Sequence, residues 1–299
     1  MMGMFLLAYL HNHNAGFPVG GSLEFARALE RRYLELGGQI HYEAQVEKIL
    51  VENDRAVGLR LYDDSIHRGD VVISAADGRA TLFDLLDGRY LDGKLKRMYD
   101  GHLPLHSQVQ ISLGVNRDFS AEPHWVTHLV EQPIQIIGED RFEIGVKHYC
   151  FDPSLAPPGK SALIVMIRSR YDYWQRIYGR KLYDTEQNQV SDIVIDFLEQ
   201  LYPGIRQDIE FVDEATPLSY ERYTGNWMGA TSGWLLSRET MPMLIRGVNK
   251  TLPGLRNFYL AGQWVEPGGS VPLAAASGRS VIQMICHADG KPFEAHMPK

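Results

Sequence analysis

The residues best suited to chemistry lie near the end of this sequence, in Phe258-Tyr-Leu-Ala-Gly-Gln-Trp-Val-Glu-Pro-Gly-Gly-Ser-Val-Pro-Leu-Ala-Ala-Ala-Ser-Gly278. A short apolar strand runs through a glycine loop into an alanine-rich helix. A helix N-terminus gathers unpaired backbone N–H groups and about half a positive charge. Glycines ahead of it let a flat or anionic ligand reach the backbone, and Ala274, Ala275, Ala276 and Gly278 let the helix itself pack closely. The same pattern also serves an ordinary strand-to-helix turn, since glycine-rich turns are common.

Other constellations point away from metal and hydrolytic chemistry. His11-x-His13, His102-x3-His106 and His124-x3-His128 have suggestive spacings. Pro104 breaks any helix that would align His102 with His106. Trp125-Val-Thr127 makes the third pair strand-like, with its imidazoles on one face but about 13 Å apart. No carboxylate or cysteine stands at a helpful offset, so no metal site is expected. A Gly-x-Ser-x-Gly elbow is absent too, which argues against a serine hydrolase. Cys150 and Cys286 stand far apart in no metal-like spacing, and are read as buried thiols of a reducing, cytoplasmic compartment.

These segments need elements to hold them. A helix is expected over Leu23–Leu36, with Ser22 as N-cap, apolar Leu23, Phe25, Ala26, Leu29, Tyr33 and Leu36 on one face, and Gly37-Gly38 as the stop. Strand-like runs follow at Gln39–Tyr42, Val46–Val51, Val57–Tyr62 and Val71–Ser74, with turn-formers at Asn53-Asp54 and Asp63-Asp64. Ala80–Leu86 reads as helix. Strands are then expected at Gln108–Val115, Phe142–Tyr149, Ala162–Ile167 and Ile209–Val212, with an amphipathic helix over Thr185–Tyr202. Asn257–Ala261 is a short strand and Pro272–Cys286 the final helix. The fold class is therefore mixed α/β.

The chain has 299 residues, 44% of them hydrophobic, enough for one large or two ordinary domains. With 30 Lys plus Arg against 37 Asp plus Glu the net charge is -7, so no general attraction to nucleic acid is expected. Arg168, Arg170, Arg176, Arg180 and Lys181 leave a local basic patch open. The apolar run Met4–Leu10 lacks a preceding basic residue and a following cleavage site, and reads as a core helix. Nothing approaches the roughly 18 apolar residues of a membrane span, so any bilayer contact would be peripheral.

The segment from Phe258 to Gly278 resembles the C-terminal FAD-contacting motif of the phytoene desaturase, carotenoid isomerase and retinol saturase group of amine-oxidase-like flavoproteins. In that family a Leu-Ala-Gly strand end is followed by Pro-Gly-Gly and a helix under the flavin ring. By position the resemblance implies that Gly262 and Gln263 meet the ribityl-phosphate region, and that Gly268, Gly269, Ser270, Val271 and Pro272 face the ring. Related flavoproteins often carry Asp where Gln263 stands, which a backbone contact would survive and which puts a side-chain role in doubt. Three further stretches are similar to the family in order and spacing. They are Gly16-Phe-Pro-Val-Gly-Gly-Ser22, the stretch Gly38–Ile49 with Val46 at the position beside the adenine, and Thr216–Ala230.

The resemblance implies a discontinuous, partial FAD-binding domain over residues 1–87 and 250–299, with a mixed-sheet substrate domain over 88–249 inserted. It implies hydride chemistry done by the flavin on a long apolar polyene-type substrate: desaturation, saturation or isomerisation. That accounts for the lack of an obvious acid–base pair, and no catalytic side chain is assigned. Tyr223, Trp227 and Met228 are the residues expected near substrate, while most other aromatics of the middle region are read as core. Flavoproteins of this kind cradle the pyrophosphate on Gly-x-Gly-x-x-Gly, a spacing that occurs nowhere in this sequence. The expectation is thus a C-terminal portion that alone binds FAD weakly or not at all, and that associates with itself or with a chain supplying the nucleotide-binding half. The alternative expectation is a polypeptide that is no enzyme by itself. Replacing Gly269 with Val is expected to block the flavin with little loss of fold, because the loop is read as lying at a domain surface.

Overall fold

The computed structural model describes residue 12, residues 16–235 and residues 237–295, without the side chains of 244–246. The run Met4–Leu10 and the pair His11 and His13 lie outside the described residues. The chain divides into two compact units, one of residues up to Tyr42, Ile111–Met166 and Val190–Glu214, the other of Glu43–Gln110, Ile167–Gln189 and Ala215 onwards. These boundaries differ from the division at 87 and 250 read from the sequence.

In the first unit, helix α1 (Gly21–Glu35) begins before the expected Leu23 and is capped by Gly20 rather than Ser22. Gly20 has φ 81°, a left-handed conformation that suits glycine, and its N–H donates to Asp152 Oδ2 at 2.6 Å. This bond fixes where the helix starts. The apolar stripe expected to be core is open: Leu23 is 60% exposed, Leu29 59% and Leu36 68%, and no residue of the helix is buried. Amphipathic spacing specifies a face that wants a partner, and does not supply one.

The same unit carries a five-stranded sheet in the order β6 (Trp125–Ile136), β7 (Glu139–His148), β8 (Ser161–Arg168), β5 (Gln108–Val115) and β9 (Ile209–Ala215). Alternation decides its inner face: Ile111, Leu113 and Val115 of β5 and Leu163 and Val165 of β8 are buried, and their neighbours in sequence are not. Val194, Phe197 and Leu198 in the C-terminal part of helix α4 (Tyr183–Leu201) are buried at helical spacing, and Ile205 at the start of the short helix α5 (Ile205–Asp208) is buried too. Each such side chain contributes roughly 1.5–3 kcal/mol of hydrophobic stabilisation. β6 and β7 form a hairpin turned by Ile137 and Gly138, both at positive φ.

His148 is fully buried in this unit, stacked on Phe119. Pro123 O, 2.9 Å from Nδ1, can only accept, so Nδ1 carries the proton and Nε2 accepts from the Tyr202 hydroxyl at 3.2 Å. Burial pushes the His148 pKa below the ordinary 6.5, as does nearby His128, against the Pro123 bond and the charge of Glu122. A histidine whose folded pKa is depressed stabilises the fold fully above its ordinary value, and that contribution fades as pH falls below it. The urea midpoint is therefore expected to drop between pH 7.5 and pH 5.5, and His148→Gln to flatten that dependence. Equal slopes for the two proteins would refute the assignment.

The second unit contains a three-stranded antiparallel sheet of β1 (Val46–Glu52), β2 (Arg55–Leu61) and β3 (Ile66–Arg68). Asn53 and Asp54 turn the first hairpin at φ 49° and 56°, where the short polar side chains of Asn and Asp are tolerated. Gln39–Tyr42, expected as a strand, forms none. A separate two-stranded sheet pairs β4 (Val72–Ser74) with β10 (Phe258–Leu260) in parallel, with Phe258 opposite Val72 and Leu260 opposite Ser74. Ala80–Leu86, expected as a helix, takes the wider π form over Ala80–Leu85. The unit also holds helices α2 (Gly93–Met98), α3 (Tyr171–Gly179), α6 (Pro217–Thr224), α7 (Met241–Arg246) and α8 (Val271–Ala288). Its core joins Leu82, Leu86, Met98, Trp234, Leu252, Phe258, Leu260 and Trp264. Trp174 of α3 is fully buried, with its indole N–H donated to Ser169 Oγ at 2.8 Å.

Two further expectations change. Cys150 and Cys286 are half-buried thiols rather than buried ones. In the basic run, Arg170 and Arg176 both pair with Asp172, at 2.7 and 3.4 Å, which offsets their charge.

Candidate functional site

The parallel β4–β10 pair brings two distant stretches to one strand-end: Ala75–Gly78 after β4 and the loop 261–270 after β10. Ala261 N donates to Ser74 O at 2.9 Å. Gly262 follows at φ 90°, and a Cβ there would touch Ala75 O at 3.5 Å. Gly262 N is held by Ser277 Oγ at 2.7 Å, so the strand end is bonded to the final helix. Val265 N closes a turn on Gly262 O at 3.3 Å. Lys250 Nζ and Glu266 Oε1 meet at 2.7 Å with little exposure, pinning the loop's middle.

The second half of the loop turns on Gly268 and Gly269, at φ 99° and 43°. Its inner side is already occupied by the stretch 231–235. Gly268 N donates to Trp234 O at 3.2 Å, and a Cβ on Gly269 would overlap Ser232. A Cβ on Gly233 would come within 2.9 Å of Gln263 O. The expectation that Gly269→Val spares the fold is therefore reversed, because this glycine is needed for close packing within the chain.

Ser270 caps α8, accepting from Leu273 N at 3.4 Å, and Pro272 sits in the first turn, where its missing N–H costs nothing. The helix starts with no acidic residue in its first turn. Val271, Pro272, Ala275 and Ala276 are exposed, and a Cβ on Gly278 would meet open space. The open N-terminal turn and small-residue face match what a flat, partly anionic group requires.

Beside the loop lies an aromatic cluster of which the sequence singled out only Trp227. Tyr99 sits 5.6 Å from Trp227, 5.1 Å from Trp234 and 6.0 Å from Trp264, centroid to centroid. Gly78 leaves room for it: a Cβ there would overlap the Tyr99 hydroxyl and come within 3.0 Å of Trp264. Burial pushes the Tyr99 phenol well above its ordinary value, and the charge of Asp77 adds to this. A cavity of about 10 Å³, lined by Gly78, Leu82, Tyr99, Leu260 and Trp264 among others, adjoins these rings. The Trp264 indole N–H is buried with no hydrogen-bond partner among the described residues. A buried donor left free costs stability, and is met where a ligand or water supplies the acceptor.

Of the residues read as candidates, Gly262, Gln263, Gly268, Gly269, Ser270, Val271 and Pro272 form one continuous strand–loop–helix. Val46 opens β1, paired with Leu61 at an irregular point of the register. Trp227 belongs to the aromatic cluster, and Met228 follows at φ 54°. Tyr223 stands apart from them on α6, 79% exposed, with the Arg222 guanidinium over its ring. Asp77, Tyr99, Trp264 and the Lys250–Glu266 pair were missed. Asp77 had a signal, a lone carboxylate amid the small residues Ala75-Ala76-Asp77-Gly78 directly after a strand. Among the histidines, His106 Nδ1 lies 2.7 Å from Thr231 Oγ1 and His102 pairs with Asp100. No group of three metal-binding side chains occurs among the described residues.

This geometry has relatives. Residues 4–285 match the family model described as flavin containing amine oxidoreductase. The chain is 27% identical over 277 residues to a chloroplastic prolycopene isomerase of Daucus carota, covering 90% of this chain and 43% of that protein. It is 26% identical over 284 residues to a lycopene-forming phytoene desaturase of Pseudescherichia vulneris, covering 90% and 56%. Among solved structures, an oxidoreductase from Methanosarcina mazei aligns with TM-score 0.59 and 23% identity over 89% of this chain and 55% of that one. A putrescine oxidase redesigned in its cofactor binding aligns with TM-score 0.59 and 14% identity, over 90% and 53%. The two structures share the fold. The chain spans about half the length of the curated relatives it matches. The match over residues 4–285, together with the strand–loop–helix at 258–278, establishes that this mixed α/β chain belongs to the flavin-containing amine oxidoreductase family.

Proposed function

We propose that this chain is part of an FAD-dependent oxidoreductase that desaturates, saturates or isomerises a long apolar polyene. The observation that carries the reading is the loop 262–270 running into the open N-terminus of α8, with the orphaned Trp264 donor beside it. Relatives named for prolycopene and phytoene chemistry support the substrate class. In this reading residues 1–87 and 250–299 form the flavin side and 88–249 the substrate side. Gly262, Gln263 and residues 268–272 would hold the flavin, Val46 would lie by its adenine, and Trp227 and Met228, with Tyr223, would face the polyene. The flavin supplies hydride transfer when bound. The chain's own part is to orient the ring and to set the positive end of α8 where negative charge develops on reduction.

No helix among the described residues is long and apolar enough to cross a membrane. We propose a cytoplasmic protein in peripheral contact with a bilayer, where a polyene would partition. A second reading, in which the chain is inactive without a partner supplying the phosphate-binding half, is supported by the open apolar face of α1.

Purification of the 299-residue chain with added FAD, followed by gel filtration and an absorbance spectrum, tests both. The first expectation is weak binding: flavin absorbance during equilibrium titration and little after the column. Stoichiometric FAD retained through the column would overturn the weak-binding expectation. No binding at any FAD concentration, alone or with a nucleotide-binding partner, would overturn the flavin assignment.

A further inference from the structure

The turn that carries Trp227 and Met228 is an unusual piece of backbone. Met228 is at φ 54°, ψ 31°, the left-handed region that residues with a Cβ seldom adopt, and Gly229 follows at φ 60°. A Cβ on Gly229 would overlap the backbone of Pro217, so this turn is pressed against the start of α6. Within the turn Gly229 N and Ala230 N bond back to Asn226 O and Trp227 O at 3.0 and 3.2 Å, which leaves the amides of Trp227 and Met228 to be satisfied from outside it.

Both of the N–H groups that lead into this turn end on carboxylates. Trp227 N donates to Asp77 Oδ2 at 2.8 Å, across 150 residues of sequence. Met228 N donates to Glu221 Oε1 at 3.3 Å. Neither carboxylate is a loose surface group. Asp77 is 7% exposed, and its other oxygen accepts from Ala80 N at 2.8 Å, at the start of the π-helix. Glu221 is half-buried, and its Oε2 accepts from the Tyr171 hydroxyl of α3. Burial pushes the Asp77 carboxyl up, and the bonds from Ala80 and Trp227 hold it back. The ring so placed lies 6.4 Å from Trp264.

We propose that Asp77 and Glu221 are positioning residues: their carboxylates hold the successive amides of Trp227 and Met228 and so fix the Trp227 ring as a wall beside the candidate flavin loop. Asp77 links that wall to the strand-end turn after β4, and Glu221 links it to α3 and α6. A polyene lying against Trp227 and Met228 would meet a surface ordered before it binds, which lowers the ordering cost of binding. This last step rests on the flavin and polyene reading above, whereas the carboxylate clamp does not.

The test uses the full chain without flavin. Trp227→Phe identifies, by difference, the near-UV circular dichroism band that the Trp227 environment produces. Asp77→Asn keeps one acceptor for two donors, so it is expected to lose that band while keeping the wild-type far-UV spectrum. Glu221→Gln retains a carbonyl oxygen for Met228 N and is expected to keep the band, whereas Glu221→Ala is expected to lose it. Should Asp77→Asn fail to fold, the Glu221 pair decides alone. A band retained in Asp77→Asn or in Glu221→Ala, or an identical loss in Glu221→Gln and Glu221→Ala, overturns the clamp. Quenching of tryptophan fluorescence by all-trans-retinol in detergent micelles then tests the consequence, with weaker quenching expected in Asp77→Asn. Equal quenching in the two proteins overturns the positioning role. Wild-type protein that does not respond to retinol at all, with the band behaving as expected, would instead sink the polyene reading and leave the clamp standing.

Discussion

Gly269→Val is expected to destabilise the flavin-free protein by roughly 2–5 kcal/mol. Gly269 sits at φ 43°, a region a β-branched residue enters only with strain. Its would-be Cβ overlaps the Cβ and carbonyl oxygen of Ser232. A carbonyl cannot rotate away as a side-chain tip can, so the backbone of one loop has to move. Moving it threatens the Gly268 N to Trp234 O bond and the position of the fully buried Trp234. Loss of flavin would then follow from loss of packing. Thermal melting of the flavin-free variant checks this, with Gly269→Ala as the milder case. A flavin-free Val variant that melts with the wild type would show instead that the glycine serves only the ligand.

Trp234→Ala is expected to cost about 3–5 kcal/mol and to loosen the loop around the candidate site. The side chain is fully buried, with Tyr99 at 5.1 Å and Trp264 at 5.2 Å, both nearly edge to face, a favourable arrangement for aromatic rings. Its indole N–H reaches Trp264 O at 3.3 Å, so truncation removes volume and also leaves a carbonyl without its donor. Trp234→Phe should fall between, since it fills much of the space and lacks the donor. Urea denaturation measures the difference. A change below about 1 kcal/mol for the alanine variant would mean that the cluster collapses onto the gap, contrary to the tight packing described.

Legibility in the sequence followed the range of the interactions involved. The β1–β2 hairpin is a local structure, and Asn53-Asp54 marks its turn because those residues tolerate positive φ. The alternation in β5 and β8 likewise states which residues are inside, since a strand's period of two leaves no other choice. Helix α1 was legible as a helix and illegible in its burial, since its apolar stripe is consistent with any covering partner. Its start moved to Gly21 because of Asp152, a residue that no local rule connects with Gly20.

The strand–loop–helix from Phe258 to Gly278 was written in the sequence by itself. Glycine, proline and a serine cap impose its turns through their own φ preferences and hydrogen bonds, whatever surrounds them. What that loop leans on was decided only by tertiary structure. Ser232 behind Gly269, Asp77 beneath Trp227 and Tyr99 in the space left by Gly78 are contacts between residues tens to more than a hundred positions apart. The pairing of β4 with β10 brings their strand ends together. Composition and periodicity carry no information about which distant residue fills a gap, because close packing selects neighbours by shape once the chain has folded.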